Sequence, residues 1–576
     1  MWSENQVTVL KFGSSVLRCE DDLQTAVHEI YRWWREGRQV VAVVSAFGDT
    51  TDELTRRARN VCEAPDEASL ATLLATGEAA SSALLGLTLN KVGIPAQVLD
   101  AVQVGLRTSG SSLDADPIAI DVTRLQEELR SGVVVLPGFV GRRENGDPTL
   151  LGRGGSDLTA LFLASRLRAS CVLVKDVDGL YTSDPACPIG RASRFTHVSY
   201  ETAARVGGPV VQLKAVRFAE EHRLRFSITS IGADRSTKVG PFADRLAGPE
   251  TAAKPLRVAL LGCGTVGGGV YERLSALPEL FTVIGVGSRN AGGARESGVR
   301  ENLITSDLNA LIEKQVDVVV ELIGGTQLAS SLVEHALNLG RHVVTANKAL
   351  LAGNEVLESS AVRYGASLRY SAAVGGVMPA LETIKRAKAN GPLRSFSGVL
   401  NGTSNFVLDR VAAGATIGDA VKDAQAQGFA EANTQLDLDG TDAAQKLVLL
   451  ARSAFGFNLP LESVRRKGIE DLDAKTLRRV ELRGRRVRLV AECRRFGNRL
   501  EASVGPVELR LDHALAQVRG VNNGLLVEPE VGTAWTVSGR GAGRWPTAEA
   551  VLGDLLDLKR ELQMTETNEV LEECVA

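Results

Sequence analysis

Gly262-Cys263-Gly264-Thr265-Val266-Gly267 follows the apolar run Leu256–Leu261 and opens a stretch of helical periodicity at 268–274. This is G-x-G-x-x-G between a strand and a helix, where backbone amides can reach a dinucleotide pyrophosphate at the positive end of the helix. Gly262, Gly264 and Gly267 allow the tight turn and the close approach, and Thr265 and Val266 bring first-turn amides to it; a side chain at Gly264 would block the approach. In a chain with 58 glycines the same string also reads as a plain turn cluster.

The next strand-like run, 282–286, leads into Gly287-Ser288-Arg289-Asn290, with no Asp or Glu to accept from a ribose 2′-hydroxyl. Arg289 suits a 2′-phosphate, which makes NADP the expected cofactor and NAD the alternative; a solvated loop arginine is the plainer reading. Further on, Asp442 and Lys446 stand four apart in a helical pattern, so both can face one pocket. An exposed ion pair has the same spacing.

The elements that would position these residues are of two kinds. Apolar runs at 7–12, 40–44, 133–137 and 171–174 alternate with helix-like stretches, as in a buried parallel sheet wrapped by helices, and the same pattern restarts at Leu256. The stretch 232–254, rich in Gly, Ala, Pro and charge, lacks strong apolar periodicity. We therefore expect an α/β domain over 1–235, a linker at 236–255, a Rossmann domain over 256–394, an α+β domain over 395–558 with strand-like runs at 502–511 and 525–527, and a tail at 559–576.

A length of 576 residues requires several cores, and 44% hydrophobic with 23% charged residues describes a globular chain. Lys and Arg number 66 against 69 Asp and Glu, with no basic run, so neither nucleic acid nor an anionic membrane is an expected partner. No run of about 20 apolar residues and no basic-then-apolar start is present, which makes the cytoplasm the expected location. The seven cysteines are odd in number and never spaced C-x-x-C, and the six histidines form no spaced set, so neither a disulfide framework nor a metal site is expected.

Several strings resemble homoserine dehydrogenase: Val319-Val320-Glu321-Leu322-Ile323-Gly324-Gly325-Thr326, Val343-Val344-Thr345-Ala346-Asn347-Lys348 and Leu400-Asn401-Gly402-Thr403-Ser404-Asn405. Gly428-Phe429-Ala430-Glu431, Leu436-Asp437 through Lys446, and Ser538-Gly539-Arg540-Gly541-Ala542-Gly543 extend the likeness over 256–558. The resemblance implies that Lys348, Lys446 and Asp442 are catalytic, that Glu431 and Asp437 bind substrate, and that Thr326 and Lys348 also meet the cofactor. The chemistry suits these types: hydride addition to an aldehyde builds an alkoxide, which needs a cation and an acid, and lysines supply both. Carboxylates at Glu431 and Asp437 suit a substrate ammonium. The chain departs from the family at Ser371, where a glutamate is usual, and at Asn433-Thr434, where Asp-Pro is usual; the first weakens any expectation of a bound alkali cation.

The amino-terminal part resembles an aspartate kinase in Lys11-Phe12-Gly13-Ser14-Ser15, Thr76-Gly77-Glu78, Leu151-Gly152-Arg153-Gly154-Gly155-Ser156-Asp157 and Asp176-Val177-Asp178-Gly179-Leu180-Tyr181-Thr182-Ser183-Asp184. By that resemblance Lys11 and Asp157 are catalytic, Glu78 and Arg153 bind the amino-acid substrate, and Lys11, Gly13, Asp176, Tyr181 and Asp184 meet MgATP. The Lys-Phe-Gly run is one residue short, Ala186-Cys187 stands where an arginine is common, and Pro209 replaces a lysine expected near the nucleotide. Each lost charge-assisted contact costs about 1.5–3 kcal/mol, and Lys175 and Lys214 are the candidates to compensate.

These resemblances imply NADPH-dependent reduction of aspartate semialdehyde to homoserine, joined to ATP-dependent phosphorylation of aspartate, in a homo-oligomer acting on small molecules. Two alternatives are a kinase-fold scaffold without activity and a kinase for another amino acid. The paired regulatory modules usual between the two parts are absent, so no feedback by threonine is expected.

Overall fold

The computed structural model describes residues 7–185, 192–208, 210–248 and 254–575, and the chain divides into two compact units, Met1–Ala252 and Ala253–Ala576. Ala186, Cys187 and Pro209 lie outside the described residues.

The first unit is built on a nine-stranded sheet whose order is Arg245–Leu246, Phe195–Val198, Thr237–Val239, Phe226–Ser230, Ser170–Lys175, Val7–Phe12, Gln39–Val44, Val133–Pro137 and Ala96–Val98. From Phe226–Ser230 to Ala96–Val98 the pairs are parallel, and in the inner strands the Val and Leu side chains of Val9 and of residues 40–44, 133–136 and 172–174 are buried on both faces, as the continuous apolar runs require. Lys11 pairs with Val43 on one side and Leu173 on the other. Alternate residues of a strand share a face, so Lys175, two beyond Leu173, projects to the same side as Lys11. The helix Gly155–Leu167 packs against Val7–Phe12, with Asp157 in its first turn.

The expected linker at 236–255 is corrected. Thr237–Val239 and Arg245–Leu246 belong to the first sheet, and Thr237 and Val239 are fully buried. Three-residue and two-residue strands are too short to declare a periodicity, which is why composition read as a linker. The helix Glu67–Val92 is long and apolar enough to cross a membrane, yet Leu74, Leu85 and Leu89 are buried in this unit and Glu78 sits among them.

In the second unit a six-stranded parallel sheet runs Ile304–Thr305, Phe281–Gly287, Leu256–Leu261, Val318–Glu321, His342–Thr345 and Leu368–Arg369. A second sheet runs Arg465–Arg466, Arg499–Arg510, Arg485–Phe496, Leu393–Val399, Asn522–Pro529 and Trp535–Arg540, antiparallel except for its first pair. The helix Thr441–Phe455 packs against Arg485–Phe496 and also against the short helix Lys348–Gly353.

The expected boundary at 558 is also corrected. One helix, Arg544–Val575, runs through it and packs on Thr265–Ser275, so this segment completes the dinucleotide-binding layer. Ala548, Val551, Leu552 and Leu555 form a stripe at helical spacing and share a core with Val258, Leu260, Val270 and Leu274.

Candidate active sites

The dinucleotide loop begins where Leu256–Leu261 ends. Gly262 has φ +102°, and a Cβ there would lie 2.6 Å from Leu322 O; a Cβ on Gly267 would lie 2.0 Å from Gly262 O. These two glycines let backbone meet backbone. Gly264 differs: its Cβ would meet nothing within 4 Å, and as the N-cap of the helix Thr265–Ser275 it supplies no side chain to the first-turn amides. That cradle, uncapped and unobstructed, fits a pyrophosphate.

Arg289 is exposed just beyond Phe281–Gly287, the strand paired with the one that ends in the loop. Thr326 caps the next helix, Gln327–Asn338, after Gly324 and Gly325, both with positive φ. Asn347 donates to Gly325 O at 2.6 Å and accepts from Leu350 N, which ties this loop to the start of the helix carrying Lys348. Glu321, fully buried, accepts from Thr345 Oγ1 at 2.6 Å and from Ile323 N at 2.8 Å, fixing the two strand ends together. All these groups stand at the carboxyl ends of parallel strands, where ligands of open α/β sheets bind.

Lys348 and Lys446 converge on one carboxylate. Asp442 Oδ1 is 2.9 Å from Lys348 Nζ, and Oδ2 is 2.9 Å from Lys446 Nζ. Lys446 also donates to Leu400 O at 2.8 Å and has 6% of its side chain exposed, whereas Lys348 has 37% exposed. Lys446 is thus pinned, and Lys348 is open to a ligand. Although burial opposes it, the two ammonium groups hold Asp442 well below the ordinary carboxylate range. Asp442, helped by Asp437 and Glu431, in turn raises Lys348 and keeps it protonated.

Asn401 links the remaining acid. Its Nδ2 donates to Asp437 at 2.6 Å and to Asp442 at 2.8 Å, while its Oδ1 accepts from Ser404 N to cap the helix Gly402–Ala412. Burial raises Asp437 above its usual value. Glu431 is exposed on the loop before it, close enough to influence Lys348. Sequence reasoning did not single out Asn401 as a site residue; an Asn at a helix start signals a cap, and nothing local signals its second role. Ser371 donates its N–H to Asp554 and its hydroxyl to Glu382.

In the first unit a cavity of about 1070 Å³ is lined by Lys11, Gly13, Glu78, Arg153, Asp157, Asp176, Tyr181 and Asp184, and also by Lys175. Asp157 Oδ1 lies 2.7 Å from Lys11 Nζ, and Lys175 Nζ lies 3.0 Å from both oxygens of Asp157. Against the effect of its burial, the two lysines lower Asp157. Glu78 is buried with Oε2 unpartnered, and burial pushes its carboxyl up to about 7. Arg153 is exposed at the rim, and Tyr181 donates to Asp178 at 2.6 Å. Lys214 is elsewhere, paired with Asp114 at 2.6 Å and Asp116 at 3.1 Å, so it does not supply the missing cation.

The second unit has the geometry of a dinucleotide-dependent oxidoreductase, and the first that of a small-molecule kinase. Residues 379–556 match the profile of homoserine dehydrogenase, 262–370 that of the homoserine dehydrogenase NAD binding domain, and 6–230 that of the amino acid kinase family. A homoserine dehydrogenase of Pseudomonas aeruginosa is 35% identical over 329 residues, covering 55% of this chain and 75% of that protein. One from Corynebacterium glutamicum is 36% identical over 319 residues, covering 53% and 72%. The crystal structure of a homoserine dehydrogenase from Thiobacillus denitrificans is similar with a TM-score of 0.51 at 35% identity, over 54% of this chain and 74% of that one. The chain belongs to the homoserine dehydrogenase family, with an amino acid kinase domain ahead of the dehydrogenase unit.

Proposed function

We propose that the second unit reduces L-aspartate 4-semialdehyde to L-homoserine with NADPH, and that the first phosphorylates L-aspartate with MgATP. The observation that carries the first reading is Asp442 between Lys348 and Lys446, one lysine pinned and one open. When bound, the reduced nicotinamide supplies a hydride. Lys348 Nζ, kept charged by Asp442, stabilises the substrate oxygen as it becomes negative and gives it a proton. Lys446 neutralises Asp442, so that the carboxylate does not repel the developing alkoxide. Asp437, near the exposed Glu431, offers an acceptor to the substrate ammonium.

NADP over NAD is supported by Arg289 at the strand end and by the lack of an acid beside it. For the kinase, support comes from the gathering of Lys11, Asp157, Glu78 and Arg153 around one cavity. Arg153 suits the substrate carboxylate and Glu78 its ammonium; binding a cation there draws Glu78 to its charged form. The reading extends to a cytoplasmic homo-oligomer whose second, antiparallel sheet carries the subunit contact. It also implies no threonine feedback, because only residues 247–255 separate the last strand of the first unit from the first strand of the second.

The test is to measure homoserine oxidation with NADP and NAD, and aspartate-dependent ADP release from MgATP, on one preparation. We expect oxidation preferring NADP, and ADP release that Arg153→Ala abolishes. A clear NAD preference would overturn the cofactor reading. Absence of ADP release from dehydrogenase-active protein would make the first unit a scaffold.

A further inference from the structure

We propose that Lys175 is a second phosphoryl-binding lysine of the first unit, meeting the terminal phosphate of the nucleotide beside Lys11. The inference rests on the kinase reading and goes beyond it, since that reading uses Lys11 alone.

The first ground is placement. Ser170–Lys175 and Val7–Phe12 are adjacent parallel strands, and their register puts both lysines on the face covered by the helix that carries Asp157. Lys11, Lys175 and Asp157 have 7%, 8% and 3% of their side chains exposed, and all three line the cavity. Among the described residues they include the only two lysines that do so.

The second ground is charge. Two ammonium groups share one carboxylate, which leaves the buried cluster one positive charge in excess. A cluster with a purely structural purpose needs one lysine, because a buried charge without a counter-ion is costly. The other buried acid at the cavity, Glu78, remains protonated up to about pH 7 and does not balance it below that. Burial and the neighbouring Lys11 lower Lys175 to about 8, as expected of a cation short of negative partners. The cavity therefore presents an anion site at its floor.

The third ground is which anion. Gly13 leaves the approach to Lys11 bare, since a Cβ there would lie 3.0 Å from Lys11 Nζ. Arg153 and Glu78 offer the complementary pair for an amino acid, so the two lysines are left for the phosphoryl group. Lys175 then supplies from another element the charge that the sequence lacks at Pro209 and Ala186-Cys187. In the transfer, the bond from phosphorus to the leaving diphosphate oxygen breaks and a bond to the acceptor carboxylate oxygen forms. No proton moves, and both lysines stay charged while the terminal phosphate passes between them.

The test is calorimetric titration of the full chain with MgADP and with a magnesium complex of an ATP analogue whose terminal phosphate cannot transfer. Lys175→Met is expected to weaken the triphosphate analogue roughly ten- to hundredfold, as loss of one charge-assisted contact predicts, and MgADP less than twofold. Retained MgADP binding also reports that the unit is folded. Lys175→Arg keeps the charge and should stay within a few-fold of wild type for both. Above about pH 8 the wild type should lose affinity for the analogue as Lys175 deprotonates, and Lys175→Arg should not; ionisation of Glu78 near pH 7 affects both proteins alike, and Lys11 and Asp157 are common to both. Equal losses for the two nucleotides in Lys175→Met with coincident pH profiles, or no loss for either, would overturn the proposal, as would a wild type that binds neither nucleotide. The expected pattern without aspartate-dependent ADP release would instead retain the phosphate site and remove aspartate as the acceptor.

Discussion

Lys348 begins the helix that follows a strand of the dinucleotide sheet, and Asp442 lies in the first turn of a helix packed on the second sheet; their side chains meet at 2.9 Å. The ion pair couples the layer that holds the cofactor to the layer that holds the substrate. Its strength lies in the second cation, Lys446, which keeps Asp442 ionised in a buried place.

Replacing Asp442 with Asn removes that anchor. We expect kcat for homoserine oxidation to fall by about 10²–10³, in the range for losing a preorganised electrostatic partner, with KM changed far less. Since Asp442 raises Lys348, its loss lowers the lysine, and the reduction reaction should fade at a lower pH than in the wild type. Steady-state rates across pH in both directions test this. An unchanged pH profile would separate Lys348 from the proton transfer.

The glycines of the loop make distinct predictions. Gly264→Ala places a Cβ in open space at an ordinary extended backbone, so the melting temperature should hold while NADP binding weakens at least tenfold. Gly267→Ala puts a Cβ against Gly262 O and should destabilise the unit by roughly 1–3 kcal/mol. Thermal melts with and without NADP distinguish the two; a stable Gly264→Ala protein with full cofactor affinity would place the pyrophosphate elsewhere.

Much of this was legible in the residues, for physical reasons that also mark the limits. The loop at Gly262 is local: strand, turn and helix adjoin, and Gly262 and Gly267 each have a backbone neighbour to avoid. The strand Arg485–Phe496 was not anticipated, because Arg485, Arg486, Arg488, Arg494 and Arg495 hide its apolar run. One of them, Arg488, is buried at 1% exposure against Asp409 at 2.8 Å, a pairing that no local pattern announces. The shared carboxylates are equally nonlocal. Asn401 reaches Asp437 and Asp442 only once two helices have packed, and Lys175 reaches Asp157 only once its strand lies beside Val7–Phe12.

Glu78 should make the ligand-free first unit sensitive to pH. Its folded value, about 7, lies above that of an exposed glutamate near 4.5, so its contribution is fully present below about pH 4.5 and lost as the pH rises towards 7. Glu78→Gln lacks this loss. The variant should therefore gain on the wild type between pH 5 and pH 8, by at most about 3 kcal/mol. Urea denaturation at those two pH values reads it, and an equal gap at both would show that Glu78 is charged when buried.

Arg273 and Glu549 form a buried pair at 3.5 Å between the first dinucleotide helix and the last helix of the chain, with Trp545 lying 4.4 Å from the Arg273 guanidinium. Glu549→Ala leaves the arginine buried without its carboxylate, which should destabilise the second unit by about 3–5 kcal/mol. Differential scanning calorimetry should record that loss; a drop below about 1 kcal/mol would mean that solvent reaches Arg273.

That last helix also sets an order of events during synthesis. Val258 and Leu260 leave the ribosome early in the second unit, yet the stripe that covers them, Val551, Leu552 and Leu555, is made only after both sheets of that unit. The dinucleotide sheet is thus laid down first and closed only after the second sheet has been made, with its apolar flank open to chaperones or to misassembly throughout the interval.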